Sequence, residues 1–108
     1  MFVFIVRNIL YDFTQVHDGS CNALVSTFKH LISAGDDGIL AFIDLEGFYI
    51  VRKLNIQEEA VKRCLSVRPD VPRRLKCIFL IEDPDNGGTV VVGTSYGDVY
   101  LVSIGTCV

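Results

Sequence analysis

The stretch LISAGDDGILAFIDL, Leu31 to Leu45, decides the fold. Two apolar runs flank Gly35-Asp36-Asp37-Gly38, and the second run ends in Ile43-Asp44. Apolar runs of this length around an Asp-Gly step read as a β-hairpin. The adjacent acids also pose a chemical question. A metal, a catalytic water or a tight turn could each use them.

Working outward, similar runs recur with turn signals between them. They are Phe2 to Val6, Ile9 to Val16, Cys21 to Ser26, Leu31 to Ala34, Ile39 to Leu45 and Phe48 to Leu54. Beyond a different central region come Cys77 to Ile81, Thr89 to Thr94 and Asp98 to Ile104. Phe28 to His30 reads as a hairpin link, and EDPDNGG as a strong turn former. The expectation is an all-β protein of nine strands. Between Asn55 and Leu75 the pattern allows two readings. Ile56, Ala60, Cys64 and Leu65 could line a short helix, or Ala60 to Val67 could form a strand. Pro69 and Pro72 end either one.

Composition narrows the function classes. The 108 residues suit one modest domain, and half of them are hydrophobic. A net charge of -3 argues against bulk nucleic-acid binding. The N-terminal MFVFIV has Arg7 after its apolar run rather than before it, which is the wrong order for a signal peptide. No run is long enough for a membrane helix. Cys21, Cys64, Cys77 and Cys107 make no C-x-x-C, so they read as small buried hydrophobes in a reducing compartment. That places the chain in the cytoplasm or nucleus, without membrane insertion and without a cofactor. There is no Walker loop and no G-x-G-x-x-G.

Displaced by 59 residues, LISAGDDGILAFIDL lies over VVVGTSYGDVYLVSI, residues 90 to 104. Both read as a β-run, a turn ending in Gly38 or Gly97, and a second β-run. Repeated units of short strands are the mark of propeller blades. The segment from His17 to Asp44 resembles a WD-repeat blade, with an early His, a Ser-rich strand, an Asp turn and a final strand closing on Ile43-Asp44. It departs in having Val16 where the family has Gly, and Ile43 where it has Trp. The second copy has Tyr96 in place of the turn Asp and Ser103 in place of the final Asp.

The resemblance implies a partial WD-like propeller. Residues 1–16 would end one blade, 17–54 would form a complete blade opened by His17, 55–75 would be a basic inter-blade insertion, and 76–108 a degenerate, incomplete blade. It implies a structural blade network of His17, Ser33, Asp37 and Asp44, with Gly38 and Gly97 as turn glycines. Asp36 is left as a solvated turn residue. The implied function is a non-catalytic interaction scaffold that uses rim loops to bind partner proteins. Around CNALVSTFKHLISAGDDGILAF it is similar to the small WD-repeat nucleoporins of the nuclear pore's outer ring, which would make outer-ring nucleoporins its partners. Two blades cannot close a ring. The remaining blades would come from a longer parent chain or another copy.

Two rival readings stand beside this one. His17-Asp18 resembles the start of a metal-dependent phosphohydrolase signature, although His30 is the only other histidine. Lys62, Arg63, Arg68, Arg73, Arg74 and Lys76 gather six of the ten basic residues. That segment could bind an acidic protein surface, which is the preferred partner, or nucleic acid, which the lack of an interleaved aromatic disfavours. The terminal Thr106-Cys107-Val108 looks like a PDZ ligand, a match common by chance.

Overall fold

A computed structural model of the chain describes residues 16–63, 73–83 and 87–104, together with the backbone of 2–6 and 9–13. The strands are β1 (Phe2–Val6), β2 (Ile9–Phe13), β3 (Cys21–Ser26), β4 (His30–Gly35), β5 (Ile39–Asp44) and β6 (Tyr49–Asn55). After the helix α1 (Ile56–Lys62) come β7 (Leu75–Ile81), β8 (Thr89–Thr94) and β9 (Val99–Ser103). All pairings are antiparallel. They form a β1-β2 hairpin, a four-stranded sheet β3-β4-β5-β6 and a three-stranded sheet β7-β8-β9.

The nine expected strands are present, with shifted ends. The second stops at Phe13, and Val16 and His17 lie in a bend ahead of β3. His17 therefore does not open a strand; it precedes one. The central segment resolves as helix over Ile56–Lys62, not as a strand beginning at Ala60. Asn55 caps it, its side-chain oxygen accepting from the Glu58 N–H at 3.1 Å, and acids fill the first turn. Ile56 and Ala60, one turn apart, are buried, and Ile56 joins the core between the sheets. Cys64, Leu65, Pro69 and Pro72 fall outside the described residues, as do Cys107 and the rest of the terminal tripeptide. Cys21 is half-buried but Cys77 is exposed, so Cys77 is not the core residue expected.

The repeat is stronger in three dimensions than in sequence. The five β4–β5 pairs run from His30↔Asp44 to Ala34↔Leu40. The five β8–β9 pairs run from Thr89↔Ser103 to Gly93↔Val99, each 59 residues further on. The preceding strands match too. A bulge lies between Cys21 and Ala23 in β3 and between Leu75 and Cys77 in β7, 54 residues on. The difference in offset is absorbed by the longer β7–β8 link.

The two sheets stack on one core. Ile32, Ala34, Leu40, Phe42 and Leu54 of the first sheet meet Leu75, Val90, Val92 and Ile104 of the second. Strand alternation puts Ser33, Ala41 and Ile43 on the opposite face of the first sheet. There Ala41 and Ile43 pack with Val16. The central strands β4 and β5 of the first sheet are thus buried on both faces. By the 59-residue correspondence, Val90 and Val92 answer to Leu31 and Ser33. The second sheet therefore sets the face that answers to Leu31 and Ser33 on the Ile32/Ala34 face of its neighbour. That is a head-to-tail stack, a heterologous contact that leaves one face open.

Candidate functional site

The turn between β4 and β5 gathers the side chains singled out above. The bend at residues 16–19 carries His17 under it, and β4 brings Ser33 up on the same face. His17 Nδ1 lies 3.0 Å from Asp37 Oδ1, and its Nε2 lies 2.7 Å from Ser33 Oγ. A carboxylate only accepts, so Nδ1 carries the proton; in the neutral ring Nε2 accepts the Ser33 hydroxyl. Asp37 also accepts from the Asp18 N–H at 2.9 Å and the Ile39 N–H at 3.2 Å. One carboxylate thus fixes the bend, the imidazole and the start of β5. Ser33 is wholly buried. A buried hydroxyl without a partner would be destabilising, so the imidazole offsets the burial.

Two glycines make room for this. A Cβ on Gly35 would stand 2.5 Å from His17 Nδ1 and 2.8 Å from Asp37 Oδ1, so no other residue fits there unchanged. Gly38 has φ +76° and backs onto the Arg73 carbonyl, where a Cβ would stand at 3.0 Å. Gly97, its counterpart, has φ +88°.

Asp44 lies outside the trio. It pairs with His30 across the strands and accepts the Gly47 N–H at 2.6 Å, closing the β5–β6 turn. Strand pairing explains this. Asp44 sits at the far end of the hairpin from Asp37. Ile43 is buried beside Val16 and Ala41 and acts as a packing residue.

Asp36 stays partly exposed in the turn, as expected, but it is also bonded. Asn22 Nδ2 donates to its Oδ1 at 2.7 Å and to the Leu75 carbonyl at 2.8 Å. Lys76 Nζ lies 3.6 Å from the same carboxyl oxygen. Asn22 and Lys76 are the residues left unpaired in the two matching bulges. Both bulges therefore aim a side chain at one carboxylate. The Asn22 hydrogen bond, aided by the charges of Lys76 and Arg74 and opposed by burial, holds the Asp36 carboxyl below its ordinary range. The two acids of the opening stretch divide the work: Asp37 pins one sheet, and Asp36 joins two.

The second sheet closes its turn with different residues. Arg73 precedes β7, and its guanidinium donates from Nε to Asp98 and lies 4.8 Å from the Tyr96 ring centroid. Thr94 Oγ1 accepts the Tyr96 and Asp98 N–H groups at 3.3 and 3.2 Å. Arg73 was expected in an exposed basic surface; it is 7% exposed and ion-paired. Its partner is 25 positions away, and only the turn brings them together. The rest of the basic segment also disperses. Lys62 and Arg63 lie 3.7 and 3.8 Å from Glu59, Lys76 turns to Asp36, and Arg74 is exposed. Arg68 is outside the described residues.

The arrangement bears on the catalytic readings. Ser33, His17 and Asp37 stand in the order of an acyl-transfer triad, but Ser33 Oγ is sealed in the core, away from any substrate. Both His17 nitrogens are engaged within the protein, which leaves no lone pair for a metal. Among the described residues, no three His, Cys, Asp or Glu side chains converge as metal ligands. No described helix is long and apolar enough to cross a membrane. No family model matches the chain, and no curated protein or solved structure matches it.

Proposed function

We propose that the chain is a non-catalytic interaction scaffold, a segment of a WD-like propeller whose next sheet stacks on β7-β8-β9. One observation carries the reading. In the first sheet the rows Val25/Ile32/Phe42 and Ala23/Ala34/Leu40 face the common core. Their counterparts in the second sheet are Phe79/Val91/Leu101 and Cys77/Gly93/Val99. Leu40 and Phe42 are 0% and 2% exposed, whereas Val99 and Leu101 are 63% and 69% exposed and Phe79 67%. An apolar face of this kind marks an interaction surface. Its occupant is a further sheet of the same kind, from a longer parent chain or another copy. Arg74 and the Lys62-Arg63 turn offer positive charge to acidic partner proteins at the rim.

Light scattering after gel filtration tests this. In the isolated chain a second copy is the sheet at hand, so concentration-dependent association is expected. Phe79→Asp with Leu101→Asp should return the chain to a folded monomer. A wild-type chain that stays a compact monomer at high concentration, unchanged by the two substitutions, would overturn the reading.

A further inference from the structure

We infer that the exposed apolar face of β7-β8-β9 docks the same face of a second copy of this chain, across a two-fold axis. The inference deepens the scaffold reading, and rests on it, by naming the occupant and its orientation.

The stacking inside the chain limits what a second copy can bring. The two sheets stack head to tail, so a copy added in the same sense would have to present the Ser33 face of its first sheet. That face is already taken at its centre, where Ser33, Ala41 and Ile43 are each 0% exposed. Of the faces in the stack, this leaves the copy's own exposed face on β7-β8-β9. Contact between like faces is isologous and closes after two chains, whereas head-to-tail addition would run on.

The chemistry of the face suits self-contact. One further row, Ile81/Thr89/Ser103, completes it beside Phe79/Val91/Leu101 and Cys77/Gly93/Val99. None of these three rows holds an acidic or basic residue. Near a two-fold axis a charge meets its own like, so a face that binds its copy has to be free of charge there. The outer face of the first sheet is different: exposed Lys53 pairs with Ala41 on it. Size sets the strength. Three strands about 4.8 Å apart and about five residues long, at about 3.4 Å per residue, make a patch well below the roughly 800 Å² per partner of a stable interface. The dimer is therefore weak and reversible, and it forms at high chain concentration.

Sedimentation velocity of the 108-residue chain over a wide concentration range should show monomers passing to dimers and no larger species. Val91 lies in the middle row of the middle strand, so it stands nearest the axis and faces its own copy. Val91→Asp and Val91→Lys should each weaken association about tenfold or more, and an equal mixture of the two should recover it, because opposite charges then meet. Circular dichroism checks that both variants are folded. Alkylation of the exposed Cys77, followed by peptide mass spectrometry on the wild type, needs no substitution and should slow as dimers form. Dimers whose Cys77 reacts as fast as in the monomer would overturn the site. So would an open-ended series of larger species, or two folded variants that stay monomeric when mixed; the scaffold reading survives each of these results. A wild-type chain that never associates sinks the scaffold reading and the two-fold contact with it.

Discussion

At the β4–β5 turn an imidazole, a hydroxyl and a carboxylate hold the backbone; at the β8–β9 turn a guanidinium, a phenol ring and a carboxylate do. The two hairpins have the same five-pair register, and each ends its turn in a glycine of positive φ. The residues that brace them share no identity beyond the acid, and even the acid has moved, from Asp37 to Asp98. Register is a property of the backbone and of alternation, and several chemistries can enforce it. What each chemistry dictates is its neighbour. His17 lies so close under the strand end that position 35 must be glycine. Where Arg73 takes over, the equivalent position is Thr94, whose hydroxyl accepts two turn N–H groups.

Transplanting one turn's residue into the other breaks the comparison hardest. Gly35→Thr copies Thr94 into the first turn, and its Cβ would collide with His17 and Asp37. A loss of about 3 kcal/mol in urea-unfolding free energy is expected. Thr94→Gly should lose well under half of that. Asp37→Ala comes next. It strips the acceptor from His17 and from two backbone N–H groups and slackens the buried Ser33, at a cost of about 2 kcal/mol in the same measurement. Asp98→Ala is the matched change in the second turn. Its partner Arg73 is buried, but Asp98 itself is partly exposed, so about 1–2 kcal/mol is expected, screened further by added salt. Arg73→Lys keeps the charge and loses the guanidinium over the Tyr96 ring; about 0.5–1 kcal/mol by thermal or urea unfolding would show that geometry as well as charge braces this turn.

The smallest effect is seen in pH dependence. Asp36 has a depressed carboxyl in the folded chain, so the native state holds fewer protons than the unfolded one in the acid range. Its contribution is present above the ordinary carboxylate value of 3.8 and is lost as pH falls through the depressed folded value. Asp36→Asn should flatten the urea midpoint against pH below about 4 and leave the neutral plateau's slope unchanged. An unaltered acid limb would show that Asp36 does not couple the sheets electrostatically.

Most of the strands were legible because their signals are local. Cys21–Ser26 and Thr89–Thr94 end where alternation and turn residues say they should. The Asp37, Ser33 and His17 grouping was also within reach, through the resemblance to a blade rather than through spacing. The central segment was not. Its seven helical residues offer only Ile56 and Ala60 as a buried face, too few to separate one period from another. Arg73–Asp98 and the Asn22–Asp36–Lys76 junction were out of reach for a different reason. The β8–β9 turn brings the first pair together within one sheet, sheet stacking assembles the second group, and nothing local marks a charged residue as buried or an asparagine as a bulge. The basic segment looked like one surface because it is contiguous in sequence, whereas the fold sends its side chains to three different partners.

The double hydrogen bond of Asn22 has a mechanical consequence. One amide nitrogen grips the turn of its own sheet and a carbonyl in the first residue of the next. Sliding one sheet along the other by a single residue would break the grip on Leu75 and pull Lys76 from Asp36. Shear between the two sheets therefore loads this junction directly. The bulges, which look like flaws in each ladder, are rivets between them.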